Sequence, residues 1–297
     1  MSFLELSFDL GSLDPEAAET VCFERGALAV TFADSRDDPV LEPAPGEFRL
    51  WPATRLVVLF SAAHDPATLS QSLACGLGLD PQAIHTQALA DKVWEREWLR
   101  DFHAMRFGER LWICPHHEPI EDPGAVVVKL DPGLAFGTGT HPSTALCLTW
   151  LDAHAHLLRA PAAGARVIDY GCGSGVLALA AAKLGAQAVH CYDIDPQALS
   201  ATRDNALANA VAQRVHIHAQ ANSLPRGADV LLANILSEPL RELAPAFASL
   251  VRPGGQVVLA GLMDAEAADV TAAYAPCFHV SRFGDRDGWT CLAGRRS

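Results

Sequence analysis

The sequence lacks the features that would place it in a membrane or hold it together through disulfide bonds. No run of about 18 consecutive apolar residues occurs among its 297 residues, so no transmembrane helix is expected. The first ten residues, MSFLELSFDL, contain no basic segment followed by an apolar one, which argues against a secretory signal. The eight cysteines are scattered and include no Cys-x-x-Cys pair, which indicates reduced thiols and a cytoplasmic protein.

Basic residues are scarce as well. The chain carries 35 acidic and 22 basic residues, a formal net charge of −13. Residues 1–104 hold 17 acidic and 7 basic residues, so a charge of −10 is concentrated in the first third. A negative surface repels nucleic-acid phosphates and attracts basic partners, although it also serves simply as a solubilising face. We therefore expect no direct binding to nucleic acid.

Metal-ligand spacing is also missing. The sequence Cys114-x-His116-His117 has no second pair at the spacing of a zinc site. His216 and His218 would share one face of a strand, an arrangement that more often reflects packing than ligation. No metal site is predicted.

Apolar patterning predicts two domains. The first ninety residues have the order β-α-β-β-α-β, which is typical of a small ferredoxin-like α+β domain. The segment Asp91–Met105, with Trp94 and Trp98 four residues apart, predicts a linker helix. From about residue 166, strands alternate with helices, which predicts a mostly parallel Rossmann-like α/β sheet. The boundaries that we predict are 1–90, 91–105 and 106–297.

The last two predicted strands indicate a variant of this sheet. Phe278–Phe283 and Trp289–Ala293 are separated only by the turn Gly284–Gly288. So short a connection requires an antiparallel hairpin. A mostly parallel sheet with an antiparallel last strand is the methyltransferase version of the doubly wound architecture.

The strongest local motif is VIDYGCGSG at residues 167–175. An apolar strand ends in an acid, then a glycine-rich turn containing Gly171 and Gly173, and then a helix. Glycines allow close approach of the backbone to a ligand and positive φ angles. Because position 176 is Val rather than Gly, the spacing is G-x-G-x-G and departs from the dinucleotide pattern G-x-G-x-x-G. The motif favours S-adenosylmethionine over a nicotinamide cofactor.

Two acids follow the second predicted strand. Asp193 lies 22 residues after Gly171 and could accept hydrogen bonds from both ribose hydroxyls of a cofactor. Asp195 precedes Pro196 and is interpreted as a helix N-cap.

Asn234 ends the fourth predicted strand, in the sequence LLANIL. Ligands of open α/β sheets bind beyond the carboxyl ends of the strands, so its amide is expected to orient an amine and is our candidate catalytic group. A simple turn-forming Asn is the alternative. No aromatic residue follows to stack on a planar base, which argues against nucleic-acid bases. We interpret Cys277 as unrelated to cytosine methylation.

A glycine- and threonine-rich loop precedes this domain. The sequence LDPGLAFGTGTHPST spans residues 130–144 and leads into a helix that starts at Pro142. Such a loop could fold over a bound cofactor, or could merely connect the domains. The candidate cofactor contacts in it are Phe136, Gly137, Thr138, Thr140 and Thr144.

Taken together, DPGLAFGTGTHPSTALCL, VIDYGCGSG, CYDIDP and LLANILSEPL resemble the methyltransferases that modify large-subunit ribosomal protein eleven (L-eleven). EREWLRDFHAMRFGERLWICP resembles the linker of that family. The similarity covers residues 92–297 well and residues 1–91 loosely. It implies a class I enzyme that trimethylates lysine ε-amines and the N-terminal amine of ribosomal protein L-eleven. It also implies cofactor positions at Thr144, Gly171, Asp193 and Asn234, and a small N-terminal domain that docks the substrate.

Two other functions stay open. One is a methyltransferase for a small molecule or another protein on the same fold, and the other is a binding module without activity. The acidic first third favours a basic macromolecular substrate, and the presence of Asp193 and Asn234 disfavours an inactive module. A dedicated base is not evident, although lysine must lose a proton before it can be methylated.

Overall fold

The computed structural model describes residues 3–36, 50–89, 103–131, 139–159 and 164–297. The chain divides into two compact units, Met1–Trp94 and Glu95–Ser297. Within the described residues, no helix combines the length and the apolar character needed to cross a bilayer.

The first unit has the predicted β-α-β-β-α-β order. Its four strands form one antiparallel sheet with the order β2-β3-β1-β4, which is the ferredoxin-like arrangement. The elements are β1 Phe3–Asp9, α1 Pro15–Glu24, β2 Ala29–Asp34, β3 Thr54–Ser61, α2 Pro66–Leu77 and β4 His85–Leu89.

Local sequence explains these elements. The side chains of Asp14 and Asp65 accept hydrogen bonds at the N-termini of α1 and α2, and a proline occupies the first turn of each helix. Along β1, every second side chain is buried, and Leu6 and Phe8 lie in the core beneath the two helices. The predicted strand-and-helix order is therefore confirmed.

The second unit begins with a three-stranded sheet that the sequence patterns did not predict. It contains β5 Met105–Phe107, β6 Leu111–Cys114 and β7 Val126–Lys129. The predicted linker helix 91–105 lies outside the described residues as far as residue 102. At its expected end the structure differs, because Met105 pairs with Ile113 in an antiparallel ladder. A strand of three residues is too short to show a period-2 pattern, which explains the omission.

The main sheet has seven strands in the order β10-β9-β8-β11-β12-β14-β13. All neighbouring pairs are parallel except the two made by β14, which is antiparallel to both β12 and β13. The predicted methyltransferase-like sheet is thus confirmed. The strands are β8 Arg166–Tyr170, β9 Ala188–Tyr192, β10 Val215–His218, β11 Ala228–Asn234, β12 Val251–Met263, β13 Phe278–Arg286 and β14 Trp289–Arg296.

Helices cover both faces of this sheet. On one face lie α3 Pro142–Ala153, α4 Ala155–Arg159, α5 Val176–Leu184 and α6 Pro196–Ala208, within the larger core. On the other face lie α7 Ser237–Leu250 and α8 Ala267–Tyr274, within a separate core. The strands therefore carry side chains that are buried alternately in two cores, as a doubly wound sheet requires.

Candidate functional site

The glycine turn connects β8 to α5. Gly171, Gly173 and Gly175 have φ angles of +77°, +53° and +83°, a region that other residues rarely adopt. A Cβ on Gly171 would collide with the side chain of Ile235, and one on Gly175 would collide with Thr202. The turn therefore has no space for a Cβ at Gly171 or Gly175, and the backbone of Gly171 and Gly173 is partly exposed at the carboxyl edge of the sheet.

Asp193 lies directly against this turn. Its Oδ2 accepts a hydrogen bond of 2.9 Å from the backbone N–H of Gly173, and its Oδ1 accepts one of 3.0 Å from Asp195. The backbone N–H groups of Gly171 and Cys172 donate to the carbonyl of Tyr192 at 2.8 and 3.1 Å. The structure thus brings the glycine turn and the predicted ribose-binding acid together.

Asp195 has the capping role that its position before Pro196 predicts. Its Oδ1 accepts a 2.8 Å hydrogen bond from the backbone N–H of Gln197, in the first turn of α6. The side chain of Asp195 is exposed, and its hydrogen bond serves the N-terminus of α6.

Asn234 and Thr144 meet at the same edge of the sheet. Nδ2 of Asn234 donates a 3.0 Å hydrogen bond to Oγ1 of Thr144. Asn234 ends β11, and Thr144 is buried in the first turn of α3 with 1% of its surface exposed. This part-buried bond fixes the plane of the amide and therefore the direction in which Oδ1 of Asn234 points.

One residue of the site was missed as a candidate. Asp169 is fully buried in β8, two residues before Gly171. Its Oδ2 accepts a 3.0 Å hydrogen bond from the N–H of Ala178 in α5, and Oδ1 has no hydrogen-bond partner among the described residues. Burial raises the pKa of this carboxyl to about 7, the hydrogen bond from Ala178 lowers it, and the charge of Asp193 raises it further. A lone acid within an apolar strand was the signal that could have identified it.

The loop that precedes α3 is described only in part. Phe136, Gly137 and Thr138 lie outside the described residues, and their predicted cofactor contacts stay predictions. Thr140 is exposed, and His141 caps α3, with its Nδ1 2.7 Å from Oγ of Ser143. The Thr140 contact is likewise an expectation.

Three histidines form a cluster on β9 and β10. His190, His216 and His218 share one face at the β9–β10 edge, where Nδ1 of His190 is 3.0 Å from Nε2 of His218. Burial, with the neighbouring histidines, lowers the pKa of His190 to about 4. Within the ranges that the structure describes, no group of three His, Cys, Asp or Glu side chains could hold a metal ion.

A cleft of about 660 Å³ lies at the opposite end of α3. It is lined by Arg110, Asp152, His156 and Arg159 among others. Asp152 accepts hydrogen bonds from the backbone N–H groups of Glu109 and Arg110, at 2.6 and 3.3 Å, and so anchors the β5–β6 turn. Asp152 is eight residues from Thr144, about 12 Å along the helix, so this cleft is separate from the carboxyl edge.

The family model described as "Ribosomal protein L11 methyltransferase (PrmA)" matches residues 2–297. A ribosomal protein L11 methyltransferase of Vibrio campbellii is 50% identical over 276 residues, covering 92% of this chain and 91% of the relative. The Erwinia tasmaniensis protein of the same name is 46% identical over 300 residues, covering 100% of both chains.

Among solved structures, the chain is similar to the ribosomal protein L11 methylase of Lactobacillus delbrueckii subsp. bulgaricus. The TM-score is 0.59 at 29% sequence identity, and the match covers 66% of this chain and 100% of that one. All of the candidate site residues lie within residues 2–297, the range matched by the family.

Proposed function

The chain belongs to the ribosomal protein L11 methyltransferase family, and we propose that it transfers methyl groups from S-adenosylmethionine to lysine ε-amines and to the N-terminal α-amine of ribosomal protein L11. The observation that carries the proposal is the Asn234–Thr144 pair, held at 3.0 Å at the carboxyl edge beside the glycine turn. The carbonyl oxygen of an amide in this position can accept a hydrogen bond from an N–H of the substrate amine, a contact that an idle module does not require.

The residues present fit the proposed cofactor. Three glycines with positive φ angles shape the turn at the carboxyl edge of the sheet, and the backbone of Gly171 and Gly173 is partly exposed there. Asp193 has four acceptor positions on its two oxygens, and two backbone N–H groups use only two of them. The remaining two suit the ribose hydroxyls. When bound, S-adenosylmethionine supplies a methyl group that its sulfonium centre already activates.

The protein's own contribution is therefore positioning. Oδ1 of Asn234 accepts a hydrogen bond from the substrate nitrogen, and Thr144 fixes the amide through Nδ2. An amide cannot take up a proton at neutral pH, so the proton of the lysine ammonium passes to solvent. The half-buried Ile235 and the partly exposed Leu236 follow Asn234 and offer apolar surface for the methylene groups of lysine.

The first domain is the proposed docking unit for the substrate. Residues 1–90 fold around a core of their own, and the first 104 residues carry a charge of −10. Ribosomal proteins contact RNA and are basic, so complementary charge would steer the encounter. On this proposal, residues 91–105 link the docking unit to the transferase domain 106–297, and no direct contact with RNA is involved. Eight free thiols fit action in the reducing cytoplasm.

Mass spectrometry of purified L11 tests the proposal. L11 from cells that lack this protein is incubated with the full-length chain and S-adenosylmethionine, and mass increments of one methyl group are counted on intact protein and peptides. Transfer to lysine and N-terminal amines is expected. Asn234→Ala at saturating cofactor should lower turnover more than cofactor affinity. An unchanged L11 mass with wild-type protein, or full turnover by Asn234→Ala, would contradict the proposal.

A further inference from the structure

Trp289 lies at the same edge of the sheet as Asn234. It is the first residue of β14 and pairs with Met263, the last residue of β12. Asn234 is the last residue of β11, which runs parallel to β12. Asn234 therefore lies at the carboxyl end of its strand, and Trp289, at the start of the antiparallel β14, lies at the same edge of the sheet, where ligands of this type of sheet bind.

The two side chains also lie on the same face. Leu232 and Cys291 belong to the larger core, and each is two residues from Asn234 or Trp289 along its strand. Because side chains alternate between the faces of a sheet, Asn234 and Trp289 face the side that α3 covers.

The first turn of α3 contacts both residues. The ring of His141, the N-cap, lies 4.6 Å from the ring of Trp289 at an interplanar angle of 71°. Thr144, three residues further on, contacts Asn234. Residues three apart on a helix are about 5–6 Å from each other, so the indole and the amide flank one stretch of the same helix.

The hairpin that carries Trp289 is held rigidly. The N–H of Asp264 donates to the carbonyl of Gly288 at 3.0 Å, and the buried Thr290 donates to Asp285 at 2.6 Å. Arg282 pairs with both Asp264 and Asp285, at 2.5 and 3.1 Å. The half-buried ring of Trp289 stands on this fixed hairpin and therefore needs little ordering when a ligand binds.

We propose that Trp289 forms the aromatic wall of the amine pocket and binds the methylated ammonium group through a cation–π contact. This inference rests on the proposed function and deepens it. Each methyl group added to the amine removes an N–H donor that Asn234 could hold. A trimethylated ammonium has none, and an aromatic face is the contact that strengthens as the nitrogen loses donors. Trp289 is thus a specificity-determining residue for the later methyl transfers.

The test compares two forms of one substrate. Unmodified L11 and L11 whose amines have been reductively dimethylated with formaldehyde and borohydride are each offered to the full-length enzyme. KM and kcat are measured by mass spectrometry for wild type, Trp289→Phe and Trp289→Leu. Trp112→Leu is the matched control, because Trp112 is also half-buried but lies in β6 with Arg106 over its ring.

Trp289→Leu should raise KM for dimethylated L11 by about 3- to 30-fold more than KM for unmodified L11, the range that a cation–π contact supports. Trp289→Phe should restore much of the difference, and Trp112→Leu should show none. Affinity for S-adenosylmethionine, measured by calorimetry, should stay within about twofold of wild type. Equal losses on both substrates, or a Phe variant as poor as the Leu variant, would overturn the inference alone. Absence of transfer by wild type to unmodified L11 would instead overturn the proposed function.

Discussion

Replacing Asp193 with alanine should remove most of the affinity for S-adenosylmethionine. In the proposed complex its carboxylate accepts two hydrogen bonds from ribose hydroxyls. Hydrogen bonds to charged groups contribute about 1.5–3 kcal/mol each, so the expected loss is about 3–6 kcal/mol. At about 1.4 kcal/mol for each factor of ten, this is a fall in affinity of about 10²- to 10⁴-fold.

The same substitution should cost some stability without unfolding the protein. Asp193 also accepts hydrogen bonds from the backbone N–H groups of Gly173 and Asp195. These are also hydrogen bonds to a charged group, and because Asp193 is half-exposed we take the lower end, about 1.5 kcal/mol each; the expected cost is about 3 kcal/mol and a Tm lower by about 6–12 °C. Asp193→Asn retains one oxygen acceptor and should fall between wild type and the alanine variant.

Isothermal titration calorimetry with S-adenosylmethionine measures the affinity, and thermal unfolding measures the stability. Asp195→Ala is the matched control, since this carboxylate lies two residues away and only caps α6 through Gln197. Its loss should cost about 1 kcal/mol of stability and leave the affinity within about twofold. If Asp193→Ala bound the cofactor as wild type does, or if both variants lost affinity equally, the ribose assignment would be wrong.

Three further predictions concern the surroundings of the site. Burial raises the pKa of Asp169 to about 7, so a positively charged cofactor should bind more tightly as pH rises from 6 to 8 and should release the proton of this carboxyl. Calorimetry in buffers of different ionisation enthalpy detects such a release, and Asp169→Asn should abolish it. Gly171→Ala should impair cofactor binding, because alanine at a φ of +77° is strained by about 1–2 kcal/mol and its Cβ would collide with Ile235. Gly11→Ala is the control, since Gly11 has a φ of +55° but open space around it; this variant should bind S-adenosylmethionine normally in the calorimetric titration. The pKa of His190 is lowered to about 4, below its unfolded value of about 6.5, so its contribution to stability is present above pH 6.5 and is lost as pH falls towards 4. In a urea-unfolding series at several pH values, His190→Asn should lose less stability on acidification than wild type, and an equal loss would contradict this.

Local patterns in the sequence were enough to predict the individual elements of the main sheet. Apolar patterning predicts a strand over Arg166–Tyr170 and helices over Val176–Leu184 and Pro196–Ala208, and these bounds agree with the structure residue by residue. These elements are set by short-range effects: apolar periodicity, a glycine turn that needs positive φ angles, and a cap such as Asp195 beside a proline. The same patterning predicts the next two helices over Pro239–Leu250 and Ala265–Ala273, which is less accurate. In the structure α7 begins at Ser237, and a short 3-10 turn, Asp264–Glu266, precedes α8.

The sequence by itself therefore determined the order of strands and helices in the first unit and in the main sheet, the glycine turn and the acids that follow it. Only the tertiary structure decided which side chains meet. Asn234 and Thr144 are 90 residues apart in sequence, and Trp289 contacts His141 from the far end of the chain. Both contacts depend on the order in which β11, β12 and β14 lie side by side, and no local pattern carries that order. The raised pKa of Asp169 likewise arises from burial beneath α5, which exists only once helix and sheet have packed.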